Sequence, residues 1–220
     1  MFDRLAECPF CALVSEGRSP VWDYLFRADR ADEIILRSAS FLVILDTAPL
    51  AEGHLLIITK AHISSLAGLS KPERAELDSV KHDAESLLGE AYGPISFFEH
   101  GAEKFAKHAG ACIDHAHLHL VPGDFDILPY VARDYPDVES FPSYERVLEA
   151  FAGRPYLLFS RKSDQVYGVH APACATQYLR RLVAQATGFR TMWSWRDCVR
   201  WADALSVRDQ LLNARMKLGR

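Results

Sequence analysis

Three histidines alternate with small or apolar residues in the segment DHAHLHLVP, residues 114–122. In an extended chain, side chains at i, i+2 and i+4 project from one face. The spacing therefore predicts a β-strand with His115, His117 and His119 on one surface, about 13 Å from end to end. Ala116, Leu118 and Leu120 turn to the other face and the core. Three readings suit such a row. It is a half-buried strand whose polar face is made of histidine. It is a three-histidine zinc centre, which needs a bent strand because the positions span too far for one small ion. Or it serves phosphorus chemistry, with one neutral imidazole attacking phosphorus while its neighbours orient it and hold the phosphate oxygens.

The flanking sequence supplies partners for that strand. FLVILD (41–46) and HLLIITK (54–60) are short, apolar and rich in β-branched residues, and read as buried strands joined by a turn with Pro49 and Gly53. Ser70 and Pro72 open a helix whose apolar face is Leu77, Val80, Ala84, Leu87 and Leu88, and Gly93 closes it. ISFFEH (95–100) reads as a strand, and residues 101–111 as a glycine-bounded loop. Beyond Pro129, RDYPDVESFP reads as a linker. A short helix (about 143–152), strands in PYLLFS and QVYGVH, a helix in ATQYLRRLVAQATG, an aromatic segment MWSWRDCVRW and a last helix follow.

The length of 220 residues suits one large domain, or a domain with an extension. A net charge of −4 gives no sign of a general nucleic-acid-binding surface. The start, MFDRLAECPFC, lacks the basic and apolar runs of a secretory signal, and no stretch approaches the roughly 20 apolar residues of a membrane span. Five cysteines are an odd number without scaffold density, which suits reduced thiols in a cytoplasm. Cys8 and Cys11 have the spacing of two zinc ligands, and equally of two small buried residues.

HAHLHLV resembles the signature of the histidine-triad (HIT) family. FLVILDTAPLAEGHLLIITKAHISSL resembles the family's preceding segment, and CPFC the Cys-x-x-Cys that many members carry near the start. Together these blocks cover about residues 6–130. The resemblance implies an α+β fold, an antiparallel sheet with a packed helix, and a homodimer. It implies cleavage of a phosphorus–oxygen or phosphorus–nitrogen bond beside a nucleoside α-phosphate, through a covalent nucleotidyl-histidine. His117 is then the nucleophile, His119 touches the α-phosphate, and Asp46 accepts the ribose hydroxyls. Phe41, Val43 and Leu45 line the base pocket or belong to the plain core, and His54 is structural rather than catalytic. The resemblance also gives the zinc ligands as Cys8, Cys11, His62 and His115, a closed structural site that steadies the strand bearing His117.

The sequence departs from the family before the triad. EHGAEKFAKHAGACID stands where relatives carry Asn-x-Gly and then Gly-Gln-Ser/Thr. Glu99 occupies the Asn region, Ala111 the glutamine position and Cys112 the hydroxyl position. Cys112 reads as a reactive thiol or a small buried residue. His100, Lys104, Lys107 and His108 make the loop cationic, which suits a polyphosphate or plain solvent. Residues 134–220 exceed the minimal fold and are taken as a C-terminal α/β extension to a domain at 1–133. Its helix carries Gln177, Arg180 and Arg181, which serve as phosphate donors in place of the missing glutamine or stand in water. The expected function is a nucleotidyl hydrolase or transferase with a nucleotide substrate, structural zinc and no membrane partner. The alternatives are a phosphorylase or another acceptor's transferase, and a non-catalytic nucleotide-binding module. The His-Pro-His of the galactose-1-phosphate uridylyl branch is absent, because Ala116 separates His115 from His117.

Overall fold

The structure, a computed structural model, describes residues 8–17, 33–103, 113–161, 165–188, 193–195, 198 and 200–217. Among these residues eight antiparallel strands form one sheet. They are β1 (Ile34–Arg37), β2 (Phe41–Leu45), β3 (Leu55–Thr59), β4 (Ile95–Gly101), β5 (His117–Pro122), β6 (Glu139–Phe141), β7 (Tyr156–Arg161) and β8 (Gln165–His170). Their order is β1-β2-β3-β5-β4-β7-β8-β6. Among the described residues six α-helices accompany them: α1 (Pro9–Glu16), α2 (Lys71–Tyr92), α3 (Leu128–Asp134), α4 (Tyr144–Ala150), α5 (Tyr178–Ala186) and α6 (Trp201–Lys217). The fold is α+β, and among the described residues no helix is long and apolar enough to cross a membrane.

Both sheet faces are covered, which is why β2 and β3 are buried at every position and apolar at all but Thr59. Phe41, Val43, Leu45, Leu55, Ile57, Leu118 and Leu120 point to one side, where α2, α4 and α6 bury them. Ser70 and Glu73 close the start of α2 as a capping box, with the Ser70 N–H on Glu73 Oε2 at 2.8 Å. On the other side α1 covers Ile34, Leu42, Ile44, Leu56 and Ile58. Farther along that face, α5 covers Phe98, Leu157 and Phe159. Between α1 and α5 the sheet face is left open, and this gap becomes the site.

Residues 139–170 continue the sheet. β7 pairs with β4 through Phe98↔Phe159 to Gly101↔Tyr156. The segment read as a linker contains β6, held to β8 by three register pairs, and Phe141 inserts its ring beside Phe151. Its polar composition reflects an exposed edge. The helix α1 and the short edge strand β1 are additions to the sequence reading. The row of three histidines is shorter than expected: β5 begins at His117, and His115 lies just before it.

Gly101 and Glu99 make room for the extension. A Cβ at Gly101 would fall inside the ring of Tyr156, which is fully buried. Gly101→Ala is therefore expected to destabilise the chain by about 1–3 kcal/mol by overpacking. An unchanged melting temperature would show that the ring moves aside freely. The Glu99 carboxyl accepts the Leu66 N–H at 2.8 Å and the Tyr156 hydroxyl at 2.5 Å. Burial outweighs both bonds and pushes its pKa up from 4.5 to about 7. With the folded value above the ordinary one, this stability is fully present below pH 4.5 and is lost as the pH rises through 7. Wild type should lose about 2–3 kcal/mol from this group between about pH 5 and 8. Glu99→Gln should flatten that decline in urea unfolding, and parallel profiles would contradict the assignment.

Candidate functional site

His117 and His119 share the open face of β5. Across the register His119 stands opposite Leu56 of β3 and Phe98 of β4, and His117 opposite Ile58. Phe98 stacks on His119 at 4.2 Å between ring centroids. The cavity above them is walled by Pro9, Phe10 and Leu13 of α1, by Ile44, Leu56 and Ile113, and at a polar end by Glu33, Asp46, Thr47, Arg180 and Trp195. It has an apolar slot, a pair of imidazoles and a charged end.

Hydrogen bonds fix which nitrogen of each ring carries the proton. His117 Nδ1 lies 2.6 Å from the His115 carbonyl, so it donates and its lone pair is on Nε2. His54 Nδ1 accepts the Leu50 N–H at 3.1 Å, so its proton is on Nε2. That Nε2 is 2.9 Å from His119 Nδ1, which must accept, leaving Nε2–H on His119 as a donor. Burial lowers the pKa of all three rings, that of His54 to about 3, and keeps them neutral. His54 is thus a buried orienting group. Its Nδ1 is 3.5 Å from Asp46 Oδ2, but the Leu50 bond already occupies that nitrogen. The three side chains lie together, but His54 donates to His119 while Asp46 takes its hydrogen bond from Arg180 and not from either ring.

Asp46 follows β2, with Oδ1 accepting the Ala48 N–H at 2.7 Å. Its Oδ2 accepts Arg180 Nη1 at 2.6 Å. Burial pushes the carboxyl pKa up, but the Arg180 and His54 charges and the hydrogen bonds outweigh it and hold the value to about 2. Arg180, on α5, is buried and also donates Nη2 to Ala48 O at 2.6 Å and Nε to Trp193 O at 3.1 Å. Breaking such a buried pair by removing one partner costs about 3–5 kcal/mol, against about 1.5–3 for a new hydrogen bond to a charge.

Four donors converge on the far side of Phe10. His115 Nε2 donates to Thr59 O at 2.6 Å, which leaves Nδ1 unprotonated. That Nδ1 is 3.2 Å from His62 Nδ1, 3.3 Å from Cys8 Sγ and 3.6 Å from Cys11 Sγ, and Cys11 Sγ is 3.2 Å from His62 Nδ1. Edges of a tetrahedral zinc site are about 3.3 Å between nitrogens and about 3.6 Å from nitrogen to sulfur. The set fits such an ion in donor type, number and spacing. Burial and the neighbouring Cys8 raise Cys11 to about 11, a repulsion that a bound cation would reverse.

Other expected residues fall elsewhere. Phe41 is a correction: with Val43 and Leu45 it lies on the helix side of the sheet, and Ile44 lines the cavity instead. Asp46 itself held the signal, since residues 42, 44 and 46 share its parity. His100 lies on β4 with the parity of Phe98 but outside the cavity lining, and burial, then the His117 charge, lowers its pKa to about 4. Gln177 precedes α5 at φ 59°, and its Oε1 accepts the Trp195 N–H at 3.2 Å, so it braces the cavity wall. Arg181 is exposed and lies over the Tyr178 ring. Lys104, Lys107, His108, Ala111 and Cys112 lie outside the described residues. The contributions of α1, Glu33 and Trp195 were not legible beforehand.

Comparison with known proteins gives the class. Residues 27–126 match the HIT domain family model, and the chain carries a HIT domain. An AP-4-A phosphorylase of Mycobacterium tuberculosis is 24% identical over 145 residues, covering 59% of this chain and 74% of that protein. A zinc-bound histidine triad family protein from Mycobacterium smegmatis is 28% identical with a TM-score of 0.40, covering 53% of this chain and 74% of its own. A hypothetical histidine triad nucleotide-binding protein from Sulfolobus tokodaii covers 96% of this chain and 97% of its own, at 16% identity and a TM-score of 0.44.

Proposed function

We propose that the protein is a nucleotidyl hydrolase or transferase acting at a nucleoside α-phosphate, with His117 as nucleophile. The observation that carries this is the His117 tautomer: Nδ1–H on the His115 carbonyl, Nε2 free, in a cavity shared with His119. In the first step the Nε2 lone pair forms a bond to the α-phosphorus. The bond to the leaving oxygen or nitrogen breaks, and that atom departs with its electron pair and takes up a proton from solvent where it needs one. His119 Nε2–H donates to a non-bridging oxygen and stabilises the charge that builds there. In the second step the acceptor attacks the phosphorus, water giving up a proton to solvent as it does so, and His117 leaves with its lone pair restored. The apolar slot of Phe10, Leu13, Ile44 and Leu56 suits the base.

A second reading takes inorganic phosphate as acceptor, as the name of the M. tuberculosis relative suggests. Turnover of dinucleoside polyphosphates and nucleoside phosphoramidates, with and without added phosphate, separates the two. A nucleoside monophosphate marks water, and a nucleoside diphosphate formed only with phosphate marks the phosphorylase. Tight nucleotide binding with no product from the panel would leave a binding module.

Zinc is the metal that suits Cys8, Cys11, His62 and His115, and its chemistry there is structural, holding α1 and the residues before β5 in place. We take residues 1–133 as the unit that carries the chemistry, residues 134–220 as an extension contributing Arg180, the assembly as a homodimer, and the reducing cytoplasm as the compartment that suits these thiols.

A further inference from the structure

The carboxylate to which the HIT resemblance assigns the ribose hydroxyls is already engaged in this chain. Asp46 is buried, its Oδ2 takes Arg180 and its Oδ1 takes the Ala48 N–H. Arg180 is anchored at three points, on Asp46, Ala48 O and Trp193 O. It cannot swing away without stranding the buried Ala48 carbonyl and the buried Asp46 charge. We propose that Arg180 is a specificity-determining residue: it withdraws Asp46 from the ribose diol, so the cavity takes nucleotides with or without those hydroxyls.

The proposal rests on the nucleotide reading above. A diol reaching Asp46 would exchange a charged, preorganised donor for two neutral ones that must first shed water, and the exchange loses. Thr47, Trp195 and Glu33 line the same cavity. Arg180 comes from α5, 134 residues along the chain from Asp46, so the C-terminal segment sets a property of the HIT domain's own site.

The test is calorimetric binding of adenosine monophosphate and its 2′,3′-dideoxy analogue to the full chain. Wild type should bind the two within about threefold of each other, because Asp46, held by Arg180, does not distinguish them. A preference of about tenfold or more for the ribonucleotide overturns the proposal, since that is what hydroxyl bonds to a charged acceptor give. Arg180→Met frees the carboxylate and should raise the preference to about tenfold, and Arg180→Lys, which cannot hold all three acceptors, should move it the same way if the Met variant does not fold. An unchanged ratio in a folded variant also overturns it. If wild type binds neither nucleotide, the nucleotide reading itself falls and this proposal with it.

Discussion

His117→Asn should abolish turnover, lowering the rate by roughly three orders of magnitude or more, while the protein still folds and binds nucleotide. The asparagine amide can donate to the His115 carbonyl as His117 Nδ1–H does, so the local backbone keeps its partner. What it lacks is the nitrogen lone pair that bonds to phosphorus. His119 cannot substitute, because its Nδ1 is committed to His54 and its Nε2 carries the proton. Steady-state kinetics and calorimetry on the same preparation separate lost chemistry from lost binding. Turnover within about tenfold of wild type would remove His117 as nucleophile.

The metal site gives the second large effect. Protein never exposed to chelator should carry about one zinc per chain. Cys8→Ser should lose it and lower the melting temperature by about 10 °C, because ligand binding to the native state is folding free energy. The loss should also reach the cavity. Cys8 and Cys11 flank Pro9 and Phe10, and Phe10 touches both His115 and His117, with ring centroids 5.5 and 5.4 Å apart. Nucleotide affinity should therefore fall in the metal-free variant although Cys8 is outside the cavity lining. Elemental analysis without metal, or a variant that keeps both metal and stability, would contradict the assignment.

The strands and the long helix were legible because their signals are local. Alternation in HLHLVP, β-branched runs in residues 41–46 and 54–60, and the Ser70 cap each lie within one element. The short pieces escaped for the opposite reason. β1 has four residues and β6 three, and the pairing that holds them comes from distant partners. α1 has eight residues, apolar on most sides, and its Ncap Cys8 makes no capping hydrogen bond. The base-pocket expectation failed at Phe41 through parity alone, since the residues that share a face with Asp46 are the even ones. Arg180 was singled out for its chemistry, but its pairing with Asp46 depends on α5 crossing the sheet, which no local pattern encodes. Glu99 looked like a lost asparagine, and the structure gives it a partner in Tyr156 of β7.

The central claim is a covalent bond between phosphorus and His117 Nε2. It is tested most directly by quenching the wild-type protein during turnover of a phosphorus-labelled dinucleoside polyphosphate and mapping the label by peptide mass spectrometry. The account predicts an acid-labile nucleotidyl group on His117, absent from His117→Asn. Sustained turnover with no label on the chain, or with label on another residue, would contradict it.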